Sequence, residues 1–165
     1  MTALAWIAIV VGSFVAVTFI PDWPWRHLGD PSHWGVIGYV AFLPLLVVSR
    51  NRTRREQSLL VSFLAAMPLI YIANALVFDA SPTWLLIQGA GLLLFAAIAL
   101  LGWRVAYGFI VVGLVGHGIW DLVHHGRTSF VPDWYTLACG AVDFGLAAFV
   151  ALRLHTWKAR AAARD

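Results

Sequence analysis

The stretch TWLLIQGAGLLLFAAIALLGWRVAYGFIVVGLVGHGIWDLVHH, residues 83–125, decides the class of fold. Arg104 and Asp121 are its only Asp, Glu, Lys or Arg residues, so nearly all of it is suited to lipid. As one helix rising 1.5 Å per residue it would be about twice as long as the roughly 30 Å hydrocarbon core of a bilayer. The stretch therefore predicts two transmembrane helices, 83–101 and 105–125, with a tight turn at Gly102, Trp103 and Arg104.

The rest of the chain is also mostly apolar. Of its 165 residues, 61% are hydrophobic and 12% are charged, whereas a typical soluble domain is about 25% charged. Further apolar stretches predict helices at 3–20, 33–49, 58–78 and 134–154. The first has no basic residue before it and no small-residue cleavage site after it, so we expect a retained helix rather than a signal peptide. The sequence predicts one all-α domain over 1–165, a bundle of six transmembrane helices in three hairpins.

The distribution of Lys and Arg predicts the orientation of this bundle. Nine of these residues fall on one side of the six-helix arrangement and two, Arg26 and Arg127, on the other. Because cytoplasmic loops carry the excess of Lys and Arg, both termini are expected in the cytoplasm and the loops 21–32, 79–83 and 126–133 outside. The cytoplasmic set is Arg50, Arg52, Arg54, Arg55, Arg104, Arg153, Lys158, Arg160 and Arg164.

The charge and cysteine counts exclude some classes of function. The basic residues lie between apolar segments, so we interpret them as topology signals and expect membrane lipids, not nucleic acid, as the surroundings of the chain. Cys139 is the single cysteine. No intramolecular disulfide and no thiolate metal cluster can form.

Polar residues inside the predicted helices are confined to the outer half of the bundle. His117, Asp121 and Asp143 favour a functional site, because ionisable groups at membrane depth are costly and adhesion between helices does not require them. A second set of residues forms either interhelical hydrogen bonds or the lining of a substrate site. It consists of Tyr39, Tyr71, Asn74, Gln88 and Trp120.

The segment GHGIWDLVHH, residues 116–125, carries the most chemical information. At 100° per residue, His117, Asp121 and His124 lie on one stripe of the helix, and His125 reaches Asp121 at the i, i+4 spacing. Imidazole and carboxylate ligands suit Zn, Fe or Mn, so a divalent metal is one hypothesis for these four residues. Asp143, or His27 or His33 of an outer loop, completes the candidate ligand set.

Two alternatives to ligation stay open. His117 and Asp143 can act as general base and orienting carboxylate, or as steps in a proton path. His124 and His125 end a helix, where the macrodipole favours a cation, so they can be capping residues.

The segment GHGIWDLVHH with the following VPDWYTLACGAVD resembles a group of small bacterial integral-membrane proteins of unassigned function. The resemblance covers about residues 116–143. It implies a shared His/Asp site and a place in the bacterial cytoplasmic membrane, and it implies no reaction.

Three functions follow as hypotheses. The first is a membrane enzyme or binding protein, with a catalytic centre of His117, Asp121 and Asp143, that acts on an amphipathic or lipidic small molecule from the outer leaflet. The second is a small proton-coupled transporter, and the third a scaffold without catalysis. The most specific structural prediction is that His117 and Asp143 are direct partners, because both lie at one depth on helices joined by a short loop, beside Gly116, Gly118 and Gly140.

Overall fold

The computed structural model describes residues 31–162, which form six helices and no strand. The predicted helix 3–20 and the candidate ligand His27 lie outside the described residues. The helices are α1 (Pro31–Ser49), α2 (Thr53–Ala66), α3 (Pro68–Val77), α4 (Pro82–Arg104), α5 (Gly108–His124) and α6 (Asp133–Ala162).

The helices have the dimensions and surface of a membrane protein. Within the described residues, four segments are long and apolar enough to cross a membrane: Pro31–Ser49, Thr53–Val77, Pro82–Arg104 and Asp133–Trp157. The fifth, α5, has 17 residues, which is at the short end of the range of about 17–25 residues for a span. Large apolar side chains cover the outside, with Val48 75%, Leu86 74% and Leu93 73% exposed. Such a surface suits lipid, and the chain is an integral membrane helical bundle.

The interior has a polar half and an apolar half. Towards the ends of the helices where the basic residues lie, the core consists of packed aliphatic and aromatic side chains such as Leu46, Leu60 and Leu114. The other half contains the buried Asn74, Gln88 and a cluster of His and Asp residues. The His/Asp cluster thus lies in the half of the bundle away from the basic residues, as the sequence predicted, whereas Ser49, Glu56 and Gln57 are buried polar residues of the basic half.

The predicted helix 58–78 is two helices, α2 and α3, that meet at Met67. Pro68 has no N–H, so the carbonyl of Leu64 loses its i+4 hydrogen bond there. Met67 itself keeps helical torsion angles, with φ −52 and ψ −45. The segment therefore kinks and continues, whereas Pro44 lies inside the unbroken α1.

The turn between α4 and α5 lies later than the sequence predicted. Gly102, Trp103 and Arg104 are helical, and the chain turns at 105–107. The prediction was wrong because Gly102 serves packing and not chain reversal: a β-carbon there would lie 2.7 Å from Cγ1 of Ile110 on α5. The glycine lets α4 and α5 approach closely.

The helix α6 extends beyond the predicted end at residue 154 and docks at the basic end of the bundle. Buried Glu56 accepts hydrogen bonds from Arg153 Nε at 3.0 Å and Nη2 at 2.8 Å, and from Trp157 Nε1 at 2.8 Å. Arg153 Nη2 also donates to the Arg50 carbonyl at 2.7 Å. These contacts place the turn after α1 and the last turns of α6 at one end.

The hairpin of α5 and α6 positions the candidate site. Its loop is fixed by Gly126, which has φ 66 and donates its N–H to Asp133 Oδ1 at 2.8 Å. Gly118 and Gly140 lie at the helix interface, where a β-carbon on Gly140 would lie 3.5 Å from the Gly118 carbonyl oxygen. Gly116 instead faces Phe95 of α4. Two of the three predicted glycines therefore allow the close approach of α5 and α6.

Candidate metal centre

His117 of α5 and Asp143 of α6 are direct partners, as the sequence predicted. His117 Nδ1 lies 2.7 Å from Asp143 Oδ2, and the two side chains are 1% and 0% exposed. The short loop sets both residues at one depth, and Gly118 and Gly140 bring the helices close enough for the contact. With a hydrogen on Nδ1, His117 donates to the Asp143 carboxylate in this arrangement.

Asp121 completes a cluster of three ligand-type side chains. It lies one turn after His117 on α5, and its Oδ2 is 3.6 Å from His117 Nδ1. One potential ligand atom from each of His117, Asp121 and Asp143 lies within 4.8 Å of the others, and all three residues are buried. These three residues can hold a metal ion.

Two tyrosines from other helices bond the carboxylates. Tyr71 of α3 donates its hydroxyl hydrogen to Asp121 Oδ1 at 2.6 Å, and Tyr39 of α1 donates to Asp143 Oδ1 at 3.4 Å. Each carboxylate thus has one oxygen oriented by a phenol and the other turned towards His117. The sequence analysis left both tyrosines open as interhelical hydrogen-bonding residues or as the lining of a substrate site. The structure shows hydrogen bonds between helices, and their acceptors were not predicted because they are distant in the chain.

Two buried polar atoms of the cluster have no hydrogen-bond partner. They are Asp121 Oδ2 and His117 Nε2. Buried polar atoms without a protein partner are rare, and water or an ion commonly satisfies them. Two carboxylates and a neutral imidazole carry a charge of −2, which one divalent cation or two protons neutralise.

His124 lies on the same stripe of α5, as predicted, and is 2% exposed. Its Nδ1 lies 2.8 Å from the Trp120 carbonyl, and its Nε2 lies 2.8 Å from Gln88 Nε2. In the tautomer that fits both contacts, Nδ1–H donates to the carbonyl and Nε2 accepts from Gln88. Both ring nitrogens are therefore engaged, and His124 supports the fold between α4 and α5.

Two further candidate ligands, His125 and His33, lie outside the three-residue cluster. His125 follows the last residue of α5 and contacts Thr136 Oγ1 at 3.1 Å, with Asp133 Oδ1 at 3.8 Å. Buried His33 packs against Trp134, with ring centroids 5.9 Å apart. The structure thus brings His117, Asp121 and Asp143 together and leaves His33, His124 and His125 outside that group.

The other residues for which the sequence left interhelical bonding or a substrate site open make contacts between helices. Asn74 Oδ1 accepts a hydrogen bond from Ser32 at 3.1 Å. Gln88 donates to His124, while its Oε1 and the Nε1 of Trp120 are buried without a partner. Trp120 packs over Gly91, where a β-carbon would lie 2.8 Å from the indole ring. Asn74 and Gln88 form hydrogen bonds between helices, and Trp120 packs against Gly91 and Phe95 of α4.

A comparison of the chain with protein-family models, curated proteins and solved structures found no match. The interpretation of the site therefore depends on its own geometry.

Proposed function

We propose that this chain is a metal-dependent membrane enzyme or binding protein for an amphipathic or lipidic small molecule, with one divalent ion held by His117, Asp121 and Asp143. The observation that carries the proposal is the buried cluster itself, whose ligand atoms lie within 4.8 Å of one another. Zn, Fe or Mn suits one imidazole and two carboxylates.

The number of ligands favours an active centre over a structural one. Structural zinc sites are commonly closed by four protein ligands, whereas catalytic zinc sites have three and leave a position for water or substrate. The cluster in residues 31–162 offers three. A divalent ion held there would supply Lewis acidity and a water molecule activated at neutral pH.

The protein groups have separate tasks in this proposal. Asp121 and Asp143 balance the charge of the ion, which makes a charged site tolerable at membrane depth. Tyr71 bonds Oδ1 of Asp121, and Tyr39 bonds Oδ1 of Asp143. These hydrogen bonds orient the Oδ2 atom of each carboxylate. The apolar packing around Phe95, whose ring centroid is 4.9 Å from that of His117, limits access of bulk water.

A metal-free general base is the second candidate, and the His117 contacts favour it specifically. Its Nδ1 is bonded to Asp143 while Nε2 has no partner. A carboxylate that orients one ring nitrogen leaves the other as a base for proton abstraction. Metal analysis separates the two candidates.

A proton-coupled transporter is less consistent with the packing. Such a carrier needs polar groups that lead from the site to both sides of the membrane. Between the cluster and the basic end, the described part of the bundle is packed with apolar side chains such as Leu64 and Leu114. The buried Glu56 at that end is bonded to Arg153 and Trp157. This packing provides no continuous polar path from the site to the basic end.

We also propose six spans, both termini in the cytoplasm, and the bacterial cytoplasmic membrane as the location. The charge count of nine against two supports the orientation. The location is proposed from the resemblance that the sequence of residues 116–143 suggests.

The metal proposal is tested by elemental analysis of the full chain, purified in detergent without chelator. We expect close to one equivalent of Zn, Fe or Mn per chain and a large loss in Asp143→Asn. The matched control is Asp79→Asn, a change at an exposed acidic residue whose φ of 49 suits Asn. Wild-type protein without metal after incubation with each ion, or Asp143→Asn with a full equivalent, would contradict the proposal.

A further inference from the structure

A groove runs along the outside of the bundle between α2 and α4, in the half where the basic residues lie. Its volume is about 410 Å³. Small side chains on the facing helices leave this space open: Ser58, Ser62 and Ala65 on α2, and Ala96 and Ala99 on α4. We name it the α2–α4 groove. Its α2 wall carries two hydroxyl groups, so it is not a purely apolar surface.

One end of the α2–α4 groove has two exposed arginines beside it. Ser58, near the start of α2, and Trp103, near the end of α4, line the groove at the basic end of the bundle. Arg54 lies one turn before Ser58, on the same face of α2. Arg104 directly follows Trp103, and both arginines are exposed. The groove therefore leads from the side of the bundle to a pair of cations at the membrane surface.

The described chain supplies no counter-charge for this pair of arginines. Within residues 31–162, Glu56 is the acidic residue of the basic end, and its buried carboxylate is bonded to Arg153 and Trp157. Neither Arg54 nor Arg104 forms an ion pair with a carboxylate of these residues. An anion at this end of the groove therefore meets two cations without competition from the carboxylates of residues 31–162.

We propose that the α2–α4 groove binds one anionic phospholipid of the adjacent leaflet, with its phosphate at Arg54 and Arg104 and an acyl chain along the groove. Guanidinium groups form strong, charge-assisted hydrogen bonds with phosphate. Basic residues next to a membrane-spanning helix attract anionic lipids. The hydroxyl groups of Ser58 and Ser62 are further donors for ester or phosphate oxygens. This lipid site lies at the end of the bundle away from the His/Asp cluster and does not depend on the proposed function.

Charge selects this occupant over protein segments that could cover the groove. The predicted helix 3–20 contains no Asp or Glu, so it would bring no anion to the two arginines. A second copy of the chain inserts in the same orientation and would place its own basic end beside them, where like charges repel. An anionic phospholipid supplies the missing negative charge and an apolar chain in one molecule.

The test titrates the full chain, delipidated in detergent, with phosphatidylglycerol or with phosphatidylcholine and measures bound lipid by native mass spectrometry. We expect phosphatidylglycerol, which has a net negative charge, to bind several-fold more tightly. Arg54→Gln and Arg104→Gln should each weaken phosphatidylglycerol binding about five-fold, the factor expected for one basic residue at an anionic surface. The matched control is Arg127→Gln, at an exposed arginine of the loop between α5 and α6, which should leave this affinity unchanged.

A second pair of variants tests the groove itself. Ala96→Leu adds bulk to the α4 wall of the groove. Ala97→Leu adds the same bulk at the next residue, which is exposed and does not line the groove. We expect Ala96→Leu to lower phosphatidylglycerol binding several-fold and Ala97→Leu to leave it unchanged. The melting temperature of each variant without lipid shows whether it is folded.

Equal affinities for the two lipids, or wild-type affinity for phosphatidylglycerol in both arginine variants, would overturn the inference. So would full displacement of the lipid by an equal concentration of glycerol 3-phosphate, since the headgroup would then bind without the acyl chain. An efficient disulfide in membranes between Ala96→Cys and a cysteine introduced within residues 3–20, or between Ala96→Cys in two copies, would also overturn it, because protein would then cover the groove. All titrations contain chelator, so the outcome is independent of the metal proposal.

Discussion

The Asp121 carboxylate is bonded on one side only: Oδ1 accepts from Tyr71 at 2.6 Å, and Oδ2 has no hydrogen-bond partner. The Tyr71 hydroxyl therefore fixes the orientation of the oxygen that we assign to the metal. Outer partners of ligating residues commonly contribute about 10–100-fold to metal affinity.

We accordingly expect Tyr71→Phe to weaken metal binding by about 10–100-fold, since the ring stays and only the hydroxyl is lost. Asp121→Ala, which removes the ligand itself, should abolish stoichiometric binding. Affinities come from competition with a chelator of known strength. Tyr107→Phe, which alters a tyrosine packed on Trp157 at the opposite end, is the control. Equal affinities for Tyr71→Phe and wild type would remove the orienting role.

The contact between His117 and Asp143 predicts strong coupling between the two residues. Residues in direct contact show interaction energies of about 0.5–3 kcal/mol in double-mutant cycles. We expect His117→Ala and Asp143→Ala to be non-additive in thermal stability in detergent and in any measured activity, because either change alone leaves the other side chain buried without its partner. Additive effects would place the two residues in separate sites.

At the scale of helices, the contact of α6 with α2 is electrostatic. Glu56 is 0% exposed and Arg153 is 21% exposed in their ion pair, at 2.8 Å. Breaking a buried pair by removing one partner commonly costs about 3–5 kcal/mol, because a buried charge is left behind. The partial exposure of Arg153 makes the lower end of this range the better expectation.

Arg153→Met should therefore lower the melting temperature in detergent clearly and leave the metal content unchanged, because the pair lies at the end of the bundle away from the site. Arg55→Met, at an exposed position, should change neither the melting temperature nor the metal content. If Arg153→Met removed the metal as well, the two ends of the bundle would be coupled, and the division into a structural and a functional half would fail.

The sequence predicted the helices better than it predicted where they end and what individual residues in them contact. Hydropathy and the residues 83–125 were enough for a helical hairpin, and depth along the helices was enough to pair His117 with Asp143. The function of Gly102 in packing was not predictable, because it depends on Ile110 of the next helix. The buried position of Glu56 was missed for the same reason, since its partner Arg153 is far along the chain.

At the scale of the molecule, the basic residues of the described chain gather at one end, with Arg127 in the loop between α5 and α6 as the exception. Arg50 and Arg153 meet there, while the starts of α1 and α6 meet at the other end, where His33 packs on Trp134. This arrangement agrees with the alternation of cytoplasmic and outer loops that the count of Lys and Arg residues predicts.

Cysteines placed at Thr53 and Thr128 should consequently be labelled from opposite sides of the membrane by an impermeant thiol reagent. Cys139 is buried and is replaced by Ala in both variants to remove background. We expect Thr128→Cys to react in intact cells and Thr53→Cys only after the membrane is opened. Reaction of both in intact cells would mean that the number of spans between them is even rather than odd.

The central claim is that His117, Asp121 and Asp143 together bind one divalent ion, and titration of metal-free protein with Co²⁺ tests it most directly. Visible absorption of the bound ion reports ligation by the protein. We predict saturation at one equivalent in the wild type and no comparable signal in His117→Ala, Asp121→Ala or Asp143→Ala. A wild type without new absorption bands, or triad variants that titrate like the wild type, would contradict the account.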